Sequence, residues 1–93
     1  NYTAYVSEGK YGAWRTAQGL ASAPRSGGWF GECDPHIAPH QSRLAWGADR
    51  TIDLLNDAKN ANRPFFIRFD PSEPHLPCVV PEPFASMYAP EEI

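Results

Sequence analysis

The residue best placed to do chemistry in this sequence is a histidine held between prolines, in the run Glu73-Pro74-His75-Leu76-Pro77. An imidazole with its ordinary pKa of about 6.5 exists in both protonation states near neutral pH. As an imidazolium, His75 could donate a hydrogen bond to an anionic oxygen or a proton to a departing alcohol oxygen. What precedes it is Arg63-Pro64-Phe65-Phe66-Ile67-Arg68-Phe69-Asp70. Pro64 cannot continue a helix, and the aromatic and branched residues after it predict a mostly buried strand over 64–69. Asp70, Pro71, Ser72, Glu73 and Pro74 then predict a stiff polar loop, because each proline fixes φ and pushes its predecessor out of the helical region. That loop delivers His75 just past the strand's carboxyl end, the edge of open α/β sheets where ligands sit.

Other residues invite chemical readings that weaken on inspection. Cys33, His36 and His40, with Cys78 or His75 as a fourth, have permissive spacing for zinc but match no closed finger pattern, so they read as solvated loop residues. Asp49, Asp53 and Asp57 recur every fourth residue and read as a solvated helix surface. Trp14, Trp29, Phe30 and Trp46 could stack on sugar rings, although packing accounts for them more simply. Gly27-Gly28 lacks the Lys and Ser or Thr of a phosphate cradle. Asn1-Tyr2-Thr3 has the form of a glycosylation acceptor, a triplet common by chance. No residue of the chain is assigned as a metal ligand.

The order Pro64-Phe65-Phe66-Ile67, then Pro74-His75 and Pro77, then Val79-Val80-Pro81-Glu82-Pro83-Phe84-Ala85-Ser86-Met87-Tyr88 resembles the middle of type I sulfatases, members of the alkaline-phosphatase-like superfamily. A looser similarity runs from Ser42 to Leu55, so the resemblance covers a little over half of the chain. Arg68 stands where that family usually has a neutral strand residue, and Asp70-Pro71-Ser72 replaces a pattern of small residues and histidine. The resemblance implies that His75 is both a catalytic and a substrate-binding residue, touching the sulfuryl group or the leaving oxygen. It also implies a formylglycine nucleophile. Cys33-Asp34-Pro35 is followed by His36 and Ile37 rather than serine and arginine, so Cys33 reads as an ordinary loop cysteine and the nucleophile is expected outside this chain. The divalent cation of the family, usually calcium, is likewise expected on residues outside it. The partners so implied are a sulfated small molecule or carbohydrate and the rest of the sulfatase domain, and a periplasmic, secreted or lysosomal setting rests on the resemblance alone. A phosphodiester or phosphonate hydrolase of the same superfamily is the alternative. A further alternative is a non-catalytic module whose Pro71–Pro90 tail is recognised in extended form.

The elements that must position His75 follow from patterning. Ser42 precedes a segment in which Leu44, Ala48, Ile52 and Leu55 share a face, with Asp49, Arg50, Asp53 and Asp57 largely opposite; this predicts an amphipathic helix over 42–59 capped by Ser42. Helix, short turn and buried strand make half of an α/β repeat, so the expected fold class is α/β, a helix-strand segment of an alkaline-phosphatase-like α/β/α sandwich with long loops. Residues 1–41 are expected to be loop-rich: short helical turns at Tyr2, Tyr5 and Val6 and again at Tyr11 and Trp14, then a loop from Gln18 to Pro39 dense in glycine and proline. The final stretch, 70–93, is read as the active-site loop and a proline-rich exit, with one turn around Phe84–Tyr88 and neither sheet nor helix otherwise. At 93 residues with 10 prolines and 7 glycines, the whole of 1–93 reads as part of one catalytic domain. A chain this short buries only roughly 60 to 65% of its unfolded surface, and it starts without methionine and stops in mid-pattern, so a piece of a longer protein is expected. A net charge of −3 without a basic stripe argues against a nucleic-acid surface, and no apolar run is long enough for a membrane span.

Overall fold

A computed structural model describes residues 2–24 and 31–93. The expectations for Asn1 and for packing by Trp29 and Phe30 fall outside the described residues. The architecture is α/β with parallel strands. Strand β1 (Tyr2–Val6) is followed by a 3-10 turn and helix α1 (Tyr11–Ala17), then by strand β2 (Gly31–Asp34), helix α2 (Arg43–Ala61), strand β3 (Phe65–Phe69) and strand β4 (Cys78–Pro81). The strands form two separate parallel pairs. β1 lies along β3 in the register Tyr2↔Phe65 through Val6↔Phe69, and β2 lies along β4 from Gly31↔Cys78 to Asp34↔Pro81.

Helix α2 follows its local code. The Ser42 hydroxyl accepts the Ala45 N–H at 3.2 Å, and the chain leaves the helix through Asn62 at φ 52, a left-handed position that asparagine tolerates. Among the described residues, no helix is long and apolar enough to cross a membrane. The helix does not bury the face its apolar spacing predicts. Trp46, Gly47 and Ala58 are buried and Leu54 is partly so, whereas Leu44, Ile52 and Leu55 are exposed. The physical reason is width: with about 100° between successive residues, Leu54, Gly47 and Ala58 adjoin the Leu44–Ile52 stripe, giving a broad apolar arc of which β1 and β3 cover one half.

Three further expectations are corrected. Tyr2–Val6 is a strand rather than a helical turn, because the i, i+3 spacing of Tyr2 and Tyr5 also suits a β-rich run of aromatic and branched residues, and pairing with β3 decides between them. Within the expected Gln18–Pro39 loop, Gly31–Asp34 is a strand. Gly31 has φ 103 and a Cβ there would sit 1.7 Å from the Cys78 carbonyl oxygen, so this pairing requires glycine. Cys78–Pro81 is a strand although Pro81 ends it, because among the described residues it belongs to a two-stranded pair and an edge strand tolerates a residue without an N–H. Around Phe84 the chain does turn, with the Phe84 and Ala85 N–H groups both donating to the Pro81 carbonyl. β3 matches its expected position but not its expected burial. Phe65 is 52% exposed and Phe66 65%.

The core is small and aromatic. Val6, Tyr11 and Trp46 are buried together, flanked by Trp14, Leu54 and Phe69, with Tyr11 stacked on Trp14 at 5.7 Å and tilted against Trp46 at 5.9 Å. α2 approaches β3 closely enough that a Cβ on Gly47 would lie 2.4 and 2.5 Å from two Phe69 ring carbons. Gly47→Ala gains about 1 kcal/mol of helix propensity but forces an overlap that costs about 1–3 kcal/mol. A net loss near 1 kcal/mol, seen as a Tm lower by several degrees, is the expected result. In a Phe69→Ala background the same substitution should be neutral or stabilising, a change of sign that thermal unfolding would register.

Candidate functional site

β3 ends at Phe69 and hands the chain to the loop that carries His75. Two charged groups hold this loop. The Arg43 guanidinium donates from Nη2 to Ser72 Oγ at 2.7 Å and to Glu73 Oε1 at 2.8 Å, and its Nε lies 3.6 Å from Glu8 Oε2. The other Glu8 oxygen accepts the Ser72 N–H at 2.8 Å. A cation in the first turn of a helix opposes the helix dipole, so Arg43 is placed for the loop rather than for its own helix. Burial works against its charge, but the hydrogen bond and attraction from Glu73 outweigh burial, and the guanidinium is held protonated more firmly than usual. Three X-Pro bonds in this part of the chain are cis, at Pro74, Pro77 and Pro83.

Within the loop the His75 N–H donates to the Ser72 carbonyl at 2.8 Å, and the His75 ring is exposed. Its Nδ1 lies 2.5 Å from the Leu76 carbonyl oxygen. A carbonyl only accepts, so Nδ1 carries the proton; Nε2 is then the basic nitrogen of the neutral ring and a donor in the imidazolium. His75 borders a groove of about 660 Å³. Polar lining comes from Tyr11, Arg15, Asp34, Arg43, Ser72 and Glu73, and apolar lining from Ile37, Leu76, Val79, Val80 and Phe84. Arg15 is matched by Asp34 and Arg43 by Glu73, so these two pairs add little net charge to the lining. An anion there would be held by directed donors rather than by a positive field.

The groove's most buried polar contact joins α1 to β2. Arg15 donates to Asp34 through both ends of its fork, Nη1 to Oδ2 at 2.6 Å and Nη2 to Oδ1 at 3.1 Å, with both residues only 2% exposed. Arg15 Nε donates to the Ala21 carbonyl, and the His36 N–H donates to Asp34 Oδ1 at 3.1 Å. Tyr11 Oη donates to the Gln41 carbonyl at 2.7 Å and receives Arg15 Nη1 at 3.5 Å. Burial pushes the Asp34 carboxyl up, yet the hydrogen bonds from Arg15 and His36 outweigh it and leave the group below its usual range. The Asp34 hydrogen bond raises Arg15 in turn, and burial raises the Tyr11 phenol.

The remaining candidates are dispersed. Cys33 and Cys78 are free thiols on adjacent strands. Cys33 Sγ lies 3.8 Å from Glu82 Oε1, and burial together with that carboxylate raises its pKa, which lowers its thiolate fraction. Among the described residues, no three His, Cys, Asp or Glu side chains gather as a metal site, so Cys33, His36 and His40 are not brought together. Asp34 and Glu73, the acidic residues of the groove, are each engaged by an arginine. Calcium needs about six to eight oxygen ligands, so this lining does not fit one. Asp49, Asp53 and Asp57 are exposed, with Asp53 paired to Arg50 at 2.7 Å. The sequence reading singled out His75 but missed Arg15, Arg43 and Glu73. Only the misplaced charge of Arg43 at the helix start was a usable signal.

No protein-family model, no curated protein and no solved structure gives a significant match to this chain.

Two outcomes follow from the charge pairs. Asp34→Asn leaves Arg15 buried without its counter-charge and should cost about 3–5 kcal/mol in urea unfolding. Because the folded-state pKa of Asp34 is lowered from 3.8, its contribution is fully present above the unfolded value and is lost as pH falls through the folded one. Stability should therefore show no Asp34-dependent change at neutral pH and should decline below about pH 4, and the asparagine variant should lack that component. Arg43→Met removes partly exposed pairs and should lower global stability by about 1 kcal/mol or less. Hydrogen exchange at the Ser72 and His75 amides should nevertheless accelerate markedly.

Proposed function

We propose that this chain is a segment of a sulfatase and that His75 is its contribution to the hydrolysis of a sulfate ester. One observation carries the reading: a β-strand parallel to its neighbour ends at Phe69, and an anchored proline-braced loop then sets the His75 ring, exposed, at the lip of a groove. The sequence motif that resembles type I sulfatases spans this same strand and loop. The finer fold expectation, an alkaline-phosphatase-like α/β/α sandwich, belongs to this proposal and extends the observed α/β packing of α2 on β1 and β3.

The chemistry assigned to His75 uses its two nitrogens differently. Nδ1 is oriented by the Leu76 carbonyl. Nε2 in the imidazolium donates to a sulfuryl oxygen or gives its proton to the departing alcohol oxygen, so that the alcohol leaves neutral. Arg43 and Glu8 act only by fixing the loop. The nucleophile and cation of such a reaction are expected on residues outside this chain, so the 93-residue chain should release no 4-nitrophenol from 4-nitrophenyl sulfate.

The deciding experiment uses the full-length protein encoded by the reading frame that contains this chain. It should turn over 4-nitrophenyl sulfate, and His75→Ala should reduce kcat by about 10²–10⁴. Preferential turnover of bis(4-nitrophenyl) phosphate would instead assign the phosphodiester chemistry of the superfamily. Full activity without His75 would remove the proposal.

A further inference from the structure

We infer that the groove beside His75 receives the alcohol part of the sulfate ester, and that this alcohol is hydrocarbon-rich, an aromatic or alicyclic alcohol rather than a sugar. The inference rests on the role assigned to His75 above and narrows it to a class of substrate.

The occupant follows from where the imidazole stands. A side chain that gives its proton to a departing oxygen lies about 2.6–3.2 Å from that oxygen. The carbon bearing the oxygen is one bond further on, so the body of the alcohol begins beside the His75 ring. His75 borders a groove of about 660 Å³, a volume within the roughly 300–1,000 Å³ of small-molecule sites. Leu76, Val79, Val80 and Phe84 supply much of its apolar wall. These four follow His75 along the chain, through β4 and the turn after it, so the wall and the imidazole are carried by one continuous segment. A substrate whose leaving oxygen meets Nε2 therefore has this wall as its neighbour. Under the same reading the space next to His75 has to stay open to substrate, which reserves the groove for it.

The chemistry of the lining sets the class. Phe84 is 54% exposed although it is a large aromatic residue, and it lines the groove. Hydrocarbon laid against such a wall leaves water with a gain that grows with the area covered. The polar side chains of the lining are committed to one another instead. Arg15 holds Asp34, Arg43 holds Ser72 and Glu73, and Tyr11 donates to the Gln41 carbonyl. Arg43 Nε and Glu73 Oε2 lack hydrogen-bond partners but are buried, so neither is presented to a ligand. A sugar carries a hydroxyl on nearly every carbon, and each hydroxyl that gives up water without gaining a partner weakens binding. The lining thus favours a ring of carbon and hydrogen over a ring of hydroxyls.

The test compares two substrates with similar leaving groups on the full-length protein. Cyclohexylmethyl sulfate and glucose 6-sulfate are both esters of a primary alcohol on a six-membered ring, and they differ chiefly in the polarity of that ring. The value of kcat/KM should favour the cyclohexyl ester by about 10²-fold or more, the discrimination an apolar site exerts against even one added hydroxyl. Val80→Asn and Phe84→Ala should each shrink that ratio by about tenfold, with circular dichroism confirming the fold. The ratio is read first on the unsubstituted protein, so the outcome does not hang on either variant folding. A preference for glucose 6-sulfate, or a ratio unchanged in both folded variants, would overturn the inference and leave the sulfatase reading standing. Absence of turnover with every sulfate ester, 4-nitrophenyl sulfate included, would remove the reading and the inference together.

Discussion

The pairing of Arg15 with Asp34 is the contact on which the arrangement of this molecule depends. Among the described residues, β2 and β4 pack mainly on each other rather than on the other helices and strands. The salt bridge between Arg15 and Asp34 provides the join, and it does so where water is nearly excluded. A buried pair of this kind contributes modest net stability, since desolvation consumes much of its attraction. What it provides is geometry. The fork accepts one orientation of the carboxylate, so α1 and β2 can meet in one way only, and the groove between the two halves takes its shape from that constraint.

A second constraint acts on the His75 loop. A loop rich in proline is stiff internally but has no intrinsic direction relative to the sheet it leaves. Arg43 and Glu8 supply direction by gripping Ser72 and Glu73 from α2 and from the turn before α1. The hydrophobic cluster of Val6, Tyr11 and Trp46 in turn fixes those two anchors relative to each other. A position far from the imidazole can thus move it. The loop's placement belongs to the helices as much as to the strand that precedes it.

The molecule also presents more apolar surface than its own core uses. An apolar arc on α2 and the side chains of β3 are each half employed. Parallel strands in α/β proteins are ordinarily covered on both faces and continued at their edges, which two strands and one helix do not achieve.

Patterns confined to a few neighbouring residues were readable from the chain itself. Ser42 as a cap, the extent of α2, the strand ending at Phe69 and the loop that lifts His75 clear of it all follow from local rules of φ, capping and periodicity. Whatever depended on distant partners was decided only by tertiary structure. Tyr2–Val6 became a strand because β3 lies beside it, and Gly31–Asp34 and Cys78–Pro81 became strands because each completes the other. Which half of the apolar arc of α2 is buried depended on where Phe69 and Val6 stand. The union of Arg15 with Asp34 and of Arg43 with Glu73 left no mark in spacing, because a charged side chain records that it wants a counter-charge but not which one the fold will bring.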